Sequence, residues 1–279
     1  MRFHALLPLV LALAPSPGGA AAGPARAYVG IRLWDGSGRP PVENATLVVQ
    51  DGRVVAAGAG VAVPKGAERI DLAGRFVMPG LVNAHGHVGE TRGLRSGPEL
   101  YSRENVLEQL ALYARYGVTT VVSLGGDQAA GFGVRDEQAT PALARARLHV
   151  AGRVVDAPTP QAAREQVAAL AAHKPDWVKI RVDDNLGTAA KMTPEVYRAV
   201  IDEAHRRGLR VAAHIFYLDD ARGLLDAGAD YLAHSVRDQG VPADFVAAIK
   251  KRGIPFCPTL MREVSAFVYA DEPAFFADP

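Results

Sequence analysis

The sequence is short of several things, and each shortage closes off a class of protein. It holds one cysteine, Cys257, in 279 residues, so no internal disulfide can form. Cys257 sits in the apolar run Ile254-Pro-Phe-Cys-Pro258 with no activating partner beside it. That context predicts a small buried side chain rather than a nucleophile. Net charge is nearly absent. The 31 Lys and Arg against 30 Asp and Glu give +1, and removing residues 1–27 takes away Arg2 and Arg26 to leave 29 against 30, or −1. There is also no basic stripe interleaved with aromatics. Nothing therefore favours nucleic acid or an acidic membrane surface. Low-complexity segments are missing too. The run Leu6–Ala14, broken only by Pro8, is too short to span a bilayer.

The first 27 residues read instead as a secretory signal. Arg2 is the positive start, the Leu6–Ala14 run is the apolar centre, and Ala25-Arg26-Ala27 has the form of a cleavage site. The Ala20-Ala21-Ala22 run competes with it. No cysteine follows, which argues against a lipid-anchored lipoprotein. The expected location is secreted or periplasmic, with no membrane attachment after cleavage.

With 49% hydrophobic and 22% charged residues, the remainder has the composition of a soluble α/β protein with a large core. Residues 28–77 read as all-β. Ala45–Gln50 and Arg53–Ala57 flank the tight-turn pair Asp51-Gly52, and Ile70-Asp-Leu72 followed by Ala73-Gly-Arg75 repeats the pattern. From residue 78 on, short strands alternate with helical stretches, which predicts a parallel sheet covered by helices. The predicted strands are Leu81–His87, Thr119–Leu124, Leu148–Ala151, Trp177–Ile180, Leu209–His214, Tyr231–His234 and Ile254–Thr259. The predicted helices cover Arg103–Tyr116, Gln161–His173, a stretch from Pro194 to Gly208, one opened by Asp219 and Asp220, and Pro242–Arg252.

Four of these strands carry groups suited to metal chemistry. The first ends in His85-Gly86-His87, and side chains two apart in a strand point to the same face. The fifth ends in His214 and the sixth in His234. In the fourth, Lys179 lies between Val178 and Ile180; if those two face the helices, Lys179 faces the other way. One strand ending in histidine is explained equally well by a satisfied core residue. Three strands doing so at one end of a sheet point to Zn²⁺ or a similar divalent ion. For Lys179 two readings stay open: an inward lysine paired with a carboxylate, or a carboxylated lysine bridging two metals, since burial favours the neutral amine that carboxylation requires. Arg181 and Asp183-Asp184 follow that strand and would line the mouth, either binding substrate or forming a solvated loop. His149 reads as structural, and His173 and His205 as background.

Met78-Pro-Gly-Leu-Val-Asn-Ala-His-Gly-His87 resembles the first barrel strand of the amidohydrolase superfamily, and most closely its imidazolonepropionase-like and prolidase-like branch. The resemblance runs from about Gly30 to about Thr259. It implies a TIM (β/α)8-type barrel preceded by part of a small β-sandwich domain. With about seven strands present, the barrel reads as incomplete, truncated before the eighth strand and its aspartate, a role that neither Asp271 nor Asp278 is placed to take. The resemblance implies that His85 and His87 hold one metal, and His214 and His234 a second, bridged by Lys179. In a one-metal form His214 joins the first pair and His234 contacts substrate or water. His234 and Lys179 are thus the catalytic candidates.

The implied function is metal-dependent hydrolysis of amide-type carbon–nitrogen bonds, in a cyclic amide or a dipeptide, by metal-activated water. Two alternatives stand beside it: an esterase or lactonase on the same site, and a metal-binding fragment impaired for want of the eighth strand. The cofactor is one or two divalent ions, Zn²⁺ first. A small molecule or short peptide is the expected partner, nucleic acid is not, and self-association into a homo-oligomer is left open.

Overall fold

The computed structural model describes residues 23–267. The apolar centre of the signal, and Asp271 and Asp278, lie outside them. The chain divides into two compact units between Pro79 and Gly80.

In the first unit, β1 (Arg26–Leu33) is central. It pairs antiparallel with β2 (Val42–Gln50), which turns through Asp51-Gly52 into β3 (Arg53–Gly58). It also pairs in parallel with β4 (Glu68–Asp71) and β5 (Phe76–Val77). Asp51 and Gly52 both take positive φ, as a tight hairpin turn requires. β1 starts at Arg26, two residues before the all-β stretch read from the sequence at residue 28. The reason is burial: Ala25 and Ala27 are 9% and 0% exposed, and Arg26 and Ala27 pair with Val49 and Val48 on one side and Glu68 and Arg69 on the other.

The second unit is mixed α/β. Its sheets are parallel, apart from a small antiparallel hairpin of β7 (Thr91–Arg92) and β8 (Arg95–Ser96). β6 (Leu81–Gly86), β9 (Val118–Ser123) and β10 (Arg147–Val150) form one sheet with β9 central. β11 (Val178–Arg181), β12 (Val211–His214), β13 (Tyr231–Ala233) and β14 (Phe256–Cys257) form the other, in chain order. A parallel bridge from Val155 to Ile180 links the segment after β10 to β11. β6 and β14 are edge strands of their sheets, and Leu81 and Val82 on β6 are exposed.

Helices cover one face: α1 (Arg103–Arg115), α2 (Ala129–Asp136), α3 (Pro160–Ala171), α4 (Pro194–Arg206), α5 (Leu218–Ala227), α6 (Ala243–Arg252) and α7 (Leu260–Phe267). Side-chain caps start two of them, Ser102 accepting from Asn105 N and Thr159 from Ala162 N. Gly228 and Gly253 close α5 and α6 in the left-handed conformation. Neither α2 nor α7 is predicted by the sequence; α2 carries Gly131 and Gly133, which weaken any helical signal. Period-two alternation sorts the strand residues. Val178, Ile180, Val211, Ala213 and Leu232 join the large helix-facing core. Ala212, Tyr231 and Ala233 join a small separate cluster with Leu124 and Ala151. Lys179 belongs to the second face, so the condition set for it in the sequence is met: its neighbours face the helices.

Candidate metal centre

Each group on that second face is held by its own strand. β6 delivers His85 and His87, and Gly86 between them is there for packing. A Cβ at Gly86 would lie 2.9 Å from Val121 Cγ1, so any side chain would push β6 off β9. His87 Nδ1 is 3.0 Å from the carbonyl oxygen of Gly125. A carbonyl can only accept, so Nδ1 carries the proton and Nε2 keeps its lone pair. Gly125 presents that carbonyl from φ +114, where a Cβ would lie 2.6 Å from Val154 Cγ2. The loop is pinned by Asp127, whose Oδ2 accepts from Ala151 N at 2.9 Å and Gly152 N at 3.0 Å. Burial pushes the pKa of Asp127 up to about 6 in spite of these hydrogen bonds.

His234 directly follows β13 with φ 74, an uncommon backbone state for a residue with a side chain. Its N–H donates to Cys257 O at 2.8 Å, and its Nδ1 lies 2.8 Å from Thr259 Oγ1. These contacts aim the ring at its neighbours. The ring centroids of His214 and His234 are 4.0 Å apart, those of His85 and His234 4.6 Å, and those of His85 and His87 5.4 Å. The four histidines named from the sequence thus form one continuous cluster.

Lys179 completes it. It is 3% exposed, it pairs in register with Ala212, and its amine makes no hydrogen bond or ion pair among the described residues. Of the carboxylates, Asp183 acts on it from beyond ion-pair distance. Burial is the main reason its pKa falls to about 8, against the opposing influence of Cys257 and Asp183. Burial also drives His85, His214 and His234 down to about 2, with the charge of Lys179 next for His85 and His214, and that of His214 next for His234. These three rings are neutral across the physiological range, the form in which imidazole binds a cation.

The donor chemistry of these residues fits a divalent ion. Among the described residues, two buried polar side-chain atoms have no hydrogen-bond partner, His85 Nδ1 and Asp183 Oδ2, and both belong to the cluster. Neutral imidazoles, an orphaned ring nitrogen and an orphaned carboxylate oxygen make a donor set suited to Zn²⁺ or a similar ion. Among the described residues no three His, Cys, Asp or Glu side chains stand as a finished cage. Lys179, at the middle of the cluster, is outside that set of residue types.

Sequence reasoning missed three contributors. The sequence offers Asp183 as a loop residue; it is 5% exposed and touches His214. Thr259 positions His234, and the Gly125 carbonyl positions His87. A backbone carbonyl has no sequence signature, whereas Asp183, four residues past Lys179, was within reach of one. Cys257 departs from its buried reading as well. It is partly exposed and lines a cavity of ≈ 620 Å³ together with His85, His87 and His234. His149 pairs with Asp176 at 3.2 Å, the structural part expected of it. A second cavity of ≈ 630 Å³ opens beside Asp183 and is bordered by Glu90, Arg153, Asp156 and Arg181.

The sequence profile of the amidohydrolase family matches residues 76–266, more than half of the chain. An uncharacterized protein of Mycobacterium tuberculosis is 29% identical over 237 residues, covering 81% of this chain and 60% of its own. The chain therefore spans about 60% of the length of the curated relatives it first matches. An imidazolonepropionase of Acidiphilium cryptum is 37% identical over 131 residues, 42% of this chain and 30% of that protein. Among solved structures, a Xaa-Pro dipeptidase with methionine in its active site superposes with a TM-score of 0.74 at 18% identity, covering 88% of this chain and 69% of that one.

Proposed function

The chain belongs to the amidohydrolase family, and from that premise we propose that it is a metal-dependent hydrolase of amide-type carbon–nitrogen bonds, acting on a small molecule or a short peptide. The observation that carries the proposal is the gathering of four imidazoles into one cluster beside a buried lysine whose amine has no hydrogen-bond or ion-pair partner among the described residues. The strand arrangement proposed is that of an eight-stranded barrel, seven strands of which lie among the described residues, with the cluster at the C-terminal strand ends.

In this reading His85 and His87 would hold one divalent ion and His214 and His234 a second, with Lys179, once carboxylated, shared between them. Such an ion would supply a water acidified to a pKa of about 7 and a Lewis acid for the scissile carbonyl. The chain's own residues do the rest. The Gly125 carbonyl fixes the tautomer of His87, and the Thr259 hydroxyl holds the ring of His234. The apolar faces of Leu124, Ala151 and Ala233 keep bulk water from Lys179. Names among the relatives support an amide-type bond over an ester: one is a dipeptidase. The test is a panel of dipeptides, cyclic amides, esters and lactones offered to the chain with Zn²⁺ and after chelation. Amide turnover that chelation abolishes is the expected result. Turnover confined to esters, or equal turnover after chelation, would reject the proposal.

The proposed location is outside the cytoplasm. Cleavage after Ala27 would remove Ala25 and Ala27, both buried in β1 or just before it, whereas cleavage after Ala22 leaves the strand whole. The expected mature N-terminus is Gly23, read by N-terminal sequencing of exported protein. A mature chain starting at Tyr28 would have lost the first two residues of the central strand, and finding it would contradict this expectation.

A further inference from the structure

Asp183 is more than a loop residue beside the centre. It follows β11 and its side chain is 3% exposed. Oδ1 is saturated, accepting from Asn185 N at 2.8 Å, from Arg181 Nη2 at 3.1 Å and from Arg181 Nε at 3.3 Å. Oδ2 is buried and accepts nothing. Yet His214 Nε2 is only 3.0 Å from it. The ring's N–H axis misses the oxygen, because a nitrogen this close and in line would have made a hydrogen bond.

Two electron-rich atoms 3.0 Å apart repel unless a proton lies between them or a cation lies beside both. The off-axis geometry disfavours the proton. The spacing suits the cation: donors about 2.0–2.2 Å from one ion sit about 3 Å from each other. We propose that Asp183 is a protein ligand of the divalent ion held by His214, coordinating through Oδ2, an assignment that rests on the metal-dependent reading above. Arg181 then has a defined part. It holds Oδ1 and turns the free oxygen inward, the outer-shell task that orients ligating carboxylates. The centre thereby gains a permanent anionic donor next to Lys179, on the loop after the same strand.

The test uses Asp183→Asn in the full chain, stripped of metal by chelation. Asparagine keeps an oxygen at the Oδ1 position that accepts from Arg181 and Asn185 N, but it puts an amide NH2 in place of Oδ2 and loses the anion. Zn²⁺ affinity by calorimetry should fall about a hundredfold, the share of one donor in a zinc site. The visible absorption of the Co²⁺-loaded protein should change in position or intensity. Affinity within about threefold of wild type, with an unchanged Co²⁺ spectrum, would show that Asp183 only accepts a hydrogen bond and would overturn the proposal. Wild-type chain that takes up no Zn²⁺ would overturn the functional reading and this inference together, so the two failures are distinguishable. If the variant does not fold, the wild type gives a reading alone: Zn²⁺ should shift its infrared carboxylate bands, and unchanged bands would overturn the proposal.

Discussion

Replacing His85 by alanine should strip the chain of most of its divalent metal. His85 is the ring that joins the two halves of the cluster, 5.4 Å from His87 on one side and 4.6 Å from His234 on the other. Its Nδ1 is buried without a partner, so the wild-type ring already lacks one hydrogen bond that a purely structural histidine would make. Removing it leaves His87 as the only imidazole from that strand end. A zinc site worth roughly 10–16 kcal/mol over four donors loses about 3 kcal/mol per donor, or about a hundredfold in affinity. Metal content after dialysis, by atomic absorption, should drop to a small fraction of the wild-type value, and amide turnover should fall with it. The metal-free variant should not be much less stable than the metal-free wild type. The neutral ring it loses satisfies no backbone group with its side chain. Full metal content in His85→Ala would refute the assignment of β6 to the centre.

His85, His87, His214 and His234 were legible in the sequence because each lies at the end of a strand or directly after it, and strand ends in a parallel sheet covered by helices share one side of the molecule. Lys179 was legible because β-branched neighbours at 178 and 180 fix which way it points. Asp183 was not, since Asp183-Asp184-Asn185 has the composition of a solvated turn. What buries it is the Arg181 guanidinium folded over Oδ1 and the left-handed turn at Asn185 and Leu186, both tertiary events. The start of β1 was hidden for the opposite reason. Ala25-Arg26-Ala27 fits a cleavage signal, and only pairing with Val49 and Glu68 reveals it as strand. Local pattern placed the side chains that alternate along a strand, and missed those that depend on what a loop folds against.

Lys179 leads to the second large effect, and here function and stability pull in opposite directions. Replacing it by methionine should stabilise the metal-free chain while removing its capacity for a second ion. The residue is 3% exposed, on the face that carries Leu124, Ala212 and Ala233, with no ion-pair partner among the described residues, and methionine fills a similar volume without a charge. The fall of its pKa from 10.5 to about 8 corresponds to about 3 kcal/mol against the folded state. Below pH 8 folded and unfolded chains both hold the proton, and the folded chain bears the whole penalty. Between pH 8 and 10.5 the folded chain has released it while the unfolded chain has not, so the penalty fades, and above 10.5 it is gone. The gain in Lys179→Met should therefore be full at pH 7, about 3 kcal/mol or roughly 5–10 °C in melting temperature, and should vanish by about pH 10.5. Zinc titration of the same variant should show at most one ion bound per chain. A variant less stable than wild type at pH 7 would mean that the amine has a partner in the folded chain, and the bridging role would go with it. A stabilised variant that still binds two ions would separate the two roles and leave Lys179 a charge that the fold tolerates without using. The combined outcome, firmer fold and one ion fewer, is what a residue kept for chemistry predicts, because a buried amine whose charge costs the fold stability has no structural reason to be there.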